Sequence, residues 1–432
     1  MKLLGKISNA ARAKKHLFAA QATYYDEPVT IVSGEGCRVK DDEGKDYLDA
    51  FAGIATNTVG YGNTEVAQAV GEQAKKLMHV STLYLTEEQL TFAEKIASVS
   101  PGGMTKSFVT NSGSEANEMA AVVARSSKKS ADILALEHAY HGRTLYTVAM
   151  AGLSNWRNIG PDFPNVAFVP NPYCYRCPLN LEYPSCEIAC AKSAKRVIET
   201  QTNGEPAAMI AETIAGVAGM ISPPLEYFNV LQETLKPFGT LLIADEVQTG
   251  WGRLGDGMFG MTSTYHTVPD IITSAKGLGS GVPIGIVITR PELADTFKGP
   301  HINTFGGNPL STRAAAVTLD VIEKRDLIAN AKREGERLLA GLRDLQVRFP
   351  LVGDVRGHGL MIGVELVKDR KTKEHASQEA NAVLQGMKER GILVGKGGRF
   401  GNIIRIQPPL IFSSSDTEEF LAIFRDVMTV VA

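Results

Sequence analysis

With 432 residues and 44% hydrophobic content, the chain can bury one large core and a smaller second one. Its 45 basic and 47 acidic residues leave a formal charge of -2 with no run of like charge, which argues against a nucleic-acid or other polyanion partner. No uninterrupted apolar run approaches the roughly 20 residues of a membrane span, so a soluble protein is expected, with the cytoplasm as its default compartment.

Taken in order, Lys2, Lys6, Arg12, Lys14 and Lys15 precede the first acid, Asp26. The pattern suits an organelle-targeting helix or a basic arm on a subunit surface, and the lack of an apolar core with a cleavage signal favours the arm. Short strands are expected at 29–32, 37–40 and 47–49 around a turn at 41–44, an antiparallel edge piece of a small domain. Helical periodicity follows at 65–76 and 87–96. Between those helices Ser81, Thr82 and Tyr84 either line a substrate channel or serve as ordinary cap and core residues.

The next unit runs from Ser107-Phe108-Val109-Thr110 through Asn111-Ser112-Gly113-Ser114-Glu115-Ala116-Asn117 into a helix ending near Arg125. Strand, small-residue turn and helix start make an anion site, because the first-turn N–H groups are free and the helix dipole is positive there. Ser112 with Glu115 also fits a capping box. An apolar strand at 133–136 then leads into His138-Ala139-Tyr140-His141-Gly142-Arg143, where an aromatic side chain at a strand end precedes a glycine.

Of five cysteines, Cys37 stands alone, while Cys174-x-x-Cys177 and Cys186-x-x-x-Cys190 fall within seventeen residues. Four thiols so close could ligate zinc or an iron–sulfur cluster, pair as disulfides or stay free, and the spacing is not a standard zinc signature. A helix to about residue 200 and a strand at 207–212 follow, the strand ending in Glu212.

The apolar run Leu241-Leu242-Ile243-Ala244 delivers Asp245, and Ile271-Ile272 leads to Ser274-Ala275-Lys276-Gly277-Leu278-Gly279. The carboxyl ends of strands are where open α/β sheets hold ligands. A lysine between small residues at such an end presents its amine without steric cover, as a Schiff-base nucleophile must. A buried carboxylate needs a cationic or hydrogen-bonding partner, and the pyridinium nitrogen of pyridoxal phosphate is one. Beyond the lysine, a buried strand at 283–288 precedes the run His301-Ile302-Asn303-Thr304-Phe305-Gly306-Gly307-Asn308-Pro309. A long polar-faced helical stretch is expected at 311–345, then a strand at 359–366, a helix at 378–390, a strand at 402–406, and a closing helix at 417–430 behind Ser415 and Glu418. That tail reads as α+β.

Asp245-Glu246-Val247-Gln248-Thr249-Gly250, followed by Asp270-Ile271-Ile272 and Ser274-Ala275-Lys276-Gly277, resembles the signature of the class III (ω-) aminotransferases, pyridoxal-phosphate enzymes of fold type I. The resemblance covers about residues 28–430. It implies an α/β fold whose large domain (61–315) holds a mostly parallel seven-stranded sheet, with a smaller α+β domain from 1–60 and 316–432. It also implies that Lys276 and Asp245 are catalytic, that Gly113 and Ser114 bind the cofactor phosphate, and that Tyr140 stacks on the ring. Glu212, Val247 and Gln248 would contact the cofactor, and in some family members the glutamate pairs with a substrate-binding arginine. Thr304 would reach the phosphate of the neighbouring subunit, which implies a homodimer or a higher homo-oligomer. Arg405, in an Arg-x-x-Pro-Pro segment, would take the substrate carboxylate, as its planar fork suits, and Tyr84 would lie on the substrate side; no metal is implied.

The chain departs from the family pattern at Tyr61-Gly62-Asn63, where a His-containing turn is usual, and at Thr213, where proline is usual. The wording is closest to the alanine–glyoxylate type 2 and ω-amino acid–pyruvate group, with 4-aminobutyrate–2-oxoglutarate enzymes next. Aminomutases, racemases and phospho-lyases use the same scaffold and cofactor residues. A non-catalytic cofactor-binding protein would have no need to keep the lysine.

Overall fold

The computed structural model describes residues 8–21, 23–157 and 165–432; Lys2 and Lys6 of the basic arm lie outside them. Arg12, Lys14 and Lys15 sit on a helix, Asn9–His16, that buries none of its residues. The first strands are β1 (Ile31–Glu35), β2 (Arg38–Asp41) and β3 (Asp46–Asp49). The expected strand at 29–32 thus starts two residues later. β1 to β3 form an antiparallel meander.

The large sheet follows, from β4 (Lys106–Thr110), β5 (Ile133–Leu136), β6 (Val166–Val169), β7 (Ala208–Glu212), β8 (Leu241–Asp245), β9 (Ile271–Ser274) and β10 (Gly285–Thr289). Its order is β4-β10-β9-β8-β7-β5-β6, and only β10 runs antiparallel to its neighbours. The seven-stranded, mostly parallel sheet expected from the sequence is therefore present.

The all-apolar strands are explained by burial on both faces. Leu241 and Ile243 of β8 pack in one cluster with Ala116 and Ala120 of the helix Gly113–Lys128. Leu242 and Ala244 point the other way, into a cluster holding Phe228 and Leu231 of the helix Tyr227–Leu235. Each fully buried aliphatic side chain contributes about 1.5–3 kcal/mol, so these faces fix the register of the strands that carry the site.

The tail adds β11 (Val352–His358), β12 (Met361–Leu366), β13 (Ile392–Leu393), β14 (Gly395–Gly397) and β15 (Ile403–Ile406). β11, β12, β15 and β14 form a third sheet, while β13 pairs in parallel with β3 and ties the tail to the N-terminal meander. The stretch expected as one polar-faced helix is two helices, Pro309–Lys324 and Leu327–Arg348, parted at Asp326, whose φ of 49° is left-handed. The first of the two is largely buried, not polar-faced. The closing helix, Ser414–Val431, starts earlier than expected because Ser413 and Asp416 form the capping box.

All five cysteines are free, and among the described residues no group of three or more His, Cys, Asp or Glu is placed to hold a metal ion. No described helix is long and apolar enough to cross a membrane.

Candidate active site

The carboxyl ends of β5, β7, β8 and β9 open onto a cavity of ≈ 350 Å³. Its lining includes Gly113, Ser114, Tyr140, Glu212, Asp245, Val247, Gln248 and Lys276, eight residues singled out from the sequence. They arrive from separate strands because ligand-facing positions in a parallel sheet lie just beyond its carboxyl edge.

Lys276 follows β9 in a single 3-10 turn, Lys276–Leu278, with a left-handed φ of 40°. Gly277 has to be small there, since a Cβ would collide with Thr58 Oγ1. Burial pushes the Lys276 amine down to about 8, against the opposing pull of Asp245 and Glu212. A neutral amine, able to act as nucleophile or base, is thus accessible near neutral pH.

Asp245 ends β8 at 4% exposure and is held by three donors. Asn117 Nδ2 donates to Oδ2 at 2.8 Å, and the Val247 amide donates to Oδ1 at 3.1 Å. His141 Nδ1 lies 2.7 Å from Oδ2; because a carboxylate only accepts, that ring nitrogen carries the proton. Thr273 Oγ1 in turn donates to Asn117 Oδ1 at 2.5 Å, which orients the amide.

Glu212 is harnessed by two backbone amides, Tyr140 N to Oε1 at 2.8 Å and Gly216 N to Oε2 at 2.9 Å. Burial raises its pKa above the usual carboxylate range, with Asp245 adding to the rise and His141 opposing it.

The first turn of the helix Gly113–Lys128 borders the same cavity. Ser112 caps it by accepting from the Glu115 amide at 3.2 Å. The reciprocal half of the expected capping box is redirected: the Glu115 carboxylate accepts from Asn111 N at 3.2 Å, Asn111 Nδ2 at 3.0 Å and Asn303 Nδ2 at 2.9 Å. Gly113 and Gly142 leave no room for a side chain, because a Cβ at the first would press on Val247 and one at the second on Ser114. Free first-turn amides beside a cradle without side chains suit a phosphate group.

Arg405 does not line the cavity directly. It sits behind Gln248, whose Oε1 accepts from Arg405 Nη2 at 3.0 Å. Gln407 completes the clamp, accepting from Arg405 Nη2 at 3.0 Å and donating to Gln248 Oε1 at 3.2 Å. Phe51 lies under the guanidinium, 5.1 Å from ring centroid to Cζ. Tyr24 also hydrogen-bonds the Arg405 guanidinium and Glu212 acts on it at longer range, while no carboxylate among the described residues forms an ion pair with it.

Tyr84 is 65% exposed, and Thr304 is exposed as well; neither reaches the cavity within one chain. The positioning partners His141, Asn117 and Gln407 carry no role in the sequence reading. All three stand inside motifs it quotes, beside Tyr140, Ala116 and Pro408, but only the fold brings His141 and Asn117 to Asp245 and Gln407 to Gln248.

The aminotransferase class-III profile matches residues 20–428. The chain belongs to the class III aminotransferases. It is 40% identical over 410 residues, 94% of this chain and 84% of the relative, to alanine–glyoxylate aminotransferase 2 homolog 2, mitochondrial, of Arabidopsis thaliana. It is 38% identical over 407 residues, 93% of this chain and 90% of the relative, to the leucine/methionine racemase of Thermococcus litoralis. Among solved structures, an amine transaminase from an uncultivated Pseudomonas species in its PLP-bound form superposes with a TM-score of 0.90 at 28% identity, covering 96% of this chain and 98% of that one. The family is pyridoxal-phosphate-dependent, and the donors around this cavity fit that cofactor: an amine, a buried carboxylate and a helix N-terminus.

Proposed function

We propose that this aminotransferase moves an amino group from an amino acid or ω-amine of the alanine or ω-amino acid type to a 2-oxo acid such as pyruvate or glyoxylate. The observation that carries this is Arg405, a buried guanidinium near Lys276 held by the amide oxygens of Gln248 and Gln407 and by the Tyr24 hydroxyl, with no carboxylate paired to it among the described residues. A buried cation without a counter-ion is costly, so a substrate carboxylate would complete the site. The kinship with alanine–glyoxylate aminotransferase 2 supports the choice of acceptor.

When bound, pyridoxal phosphate supplies a carbonyl that amines add to and a ring that withdraws electrons from the carbon bearing the amine. In this proposal Lys276 would hold the cofactor through its amine, and the same Nζ would act as the base that takes the proton from the donor's amine-bearing carbon and as the acid that gives it back. Asp245, fixed by His141 and Asn117, keeps a negative charge at the ring nitrogen. Gly113 and Ser114 would hold the phosphate, Tyr140 would stack on the ring, and Glu212, Val247 and Gln248, which line the same cavity, would also contact the cofactor. Arg405 orients the 2-oxo acid through its carboxylate.

We further propose a homodimer in which Thr304 completes the partner's phosphate site and Tyr84 faces the partner's substrate. Leu83, Tyr84, Leu85, Ile302 and Phe305 are each 60% or more exposed, which suits burial against a second copy. In this arrangement 61–315 carries the cofactor, while 1–60 and 316–432 close over it. The compartment proposed is the cytoplasm, and mitochondrial import of a tagged chain would overturn that.

A second reading has one specific support: the 38% identical relative is named a leucine/methionine racemase. A panel of amino donors against pyruvate, glyoxylate and 2-oxoglutarate separates the cases. Turnover of alanine-type donors with pyruvate or glyoxylate is expected. A preference for 4-aminobutyrate with 2-oxoglutarate would shift the assignment to that pair, and inversion of a chiral amino acid without any 2-oxo acid would shift it to racemisation.

A further inference from the structure

A second cleft, of ≈ 150 Å³, lies where the β14–β15 hairpin meets the loops after β5 and β7. Its walls are aromatic and cationic: His375 stacks on Phe400 at 3.8 Å, and His138 meets the Tyr173 ring edge-on at 6.3 Å. Leu153, Ala218 and Ile403 give it an apolar floor.

Its polar atoms are unequally spent. Glu365 is the lining carboxylate, and its oxygens are saturated: Arg176 Nε donates at 2.6 Å, Arg356 Nη1 at 2.8 Å, and the Tyr173 hydroxyl also donates. The donors are not saturated. Arg176 uses Nε on Glu365 and Nη2 on Lys373 O at 2.7 Å, leaving Nη1 without a partner among the described residues. Arg399 only lies over the Phe400 ring, at 5.3 Å. His375 Nδ1 is buried without a hydrogen-bond partner. Counting Asp354, which pairs with Arg356, three guanidinium groups here face two carboxylates. The cleft therefore offers donors and one unmatched positive charge above an apolar floor, the pattern that receives an organic anion.

This cleft is separate from the substrate arginine although close to it. Ile403 and Arg405 stand two residues apart on β15, so they share a face about 7 Å apart. The backbone of the β14 hairpin runs past both, Gly398 against Ile403 and Gly397 against Arg405, and the Gly398 amide bonds Val217 O at 2.9 Å.

We propose that this cleft is a second carboxylate site, distinct from Arg405, which takes a small organic monoanion with an apolar body. The carboxylate meets Arg399 and the free Nη1 of Arg176, and the body lies between the Phe400 and Tyr173 rings. The test uses holoenzyme and benzoate, titrated by ligand-observed NMR against Arg405→Gln and Arg399→Gln variants. Arg399 is exposed and outside the catalytic machinery, so its loss leaves the fold intact. Arg405→Gln is expected to keep one saturable benzoate site, and adding Arg399→Gln to it to weaken that site about tenfold or more, the worth of one charge-assisted contact. Arg399→Lys in the same background should recover part of the loss. Absence of saturable binding in Arg405→Gln, or equal affinity with and without Arg399, would overturn the proposal. Neither result touches the transaminase assignment, which is read from turnover.

Discussion

His141 Nδ1 stands 2.7 Å from Asp245 Oδ2, and the two side chains come from opposite sides of β7, 104 residues apart in sequence. The contact fixes both the imidazole tautomer and the carboxylate's rotamer. Replacing His141 by Leu leaves Asn117 and the Val247 amide as the remaining donors to Asp245. Turnover is expected to fall about 10–100-fold with little change in the KM of either substrate, because an orienting contact and not a binding one is lost. A rise in KM at constant kcat, measured in steady state, would contradict that role.

Lys276→Ala should keep bound cofactor through Asp245, Gly113 and Ser114 but lose turnover by at least about 10³-fold, since nucleophile and base vanish together. Cofactor content and single-turnover rate measured on one preparation check both halves. Appreciable residual turnover would remove Lys276 from its role.

The lowered pKa of Lys276 has a stability signature in apoenzyme. Between about 8, its folded value, and its ordinary value near 10.5, the unfolded chain binds the proton and the folded chain does not. Stability therefore rises with pH across that window, while below it the full cost of burying the amine remains. Apo Lys276→Met should exceed wild type at pH 7, with the gap shrinking by about 2–3 kcal/mol on moving to pH 10. Urea unfolding at the two pH values reads this, and a gap independent of pH would refute it.

Arg405→Gln should raise the KM for 2-oxo acids about 30-fold or more, consistent with about 2 kcal/mol for a charge-assisted carboxylate contact, and leave amines without a carboxylate nearly unaffected. Gln407→Leu frees one side of the clamp and should produce a smaller rise, about fivefold, of the same selectivity. Equal effects on both substrate types would mean that Arg405 does not read the carboxylate.

How much of this was legible follows from range. The β8 run and the Lys276 loop are visible because an apolar strand buried on two faces and a lysine between small residues are local patterns. β11 escaped because its burial is broken: Val352 and Val355 turn inward while Asp354 and Arg356 are spent on ion pairs at the Glu365 junction, so no period of two shows. The two-helix break at Asp326 escaped because a left-handed aspartate carries no glycine or proline signal. His141, Asn117 and Gln407 gained meaning only when the sheet placed them beside Asp245 and Arg405. Thr304 and Tyr84 are exposed in a single chain, so the roles proposed for them depend on a neighbour that local sequence cannot position.

The most direct test of the central claim is the visible absorbance of the holoenzyme before and after L-alanine is added with no 2-oxo acid present. Amino-group transfer requires the donor to bleach the cofactor's band stoichiometrically and pyruvate or glyoxylate to restore it. A band that persists while the donor is consumed or inverted would contradict transamination and place the chain with the lyases and racemases of its family.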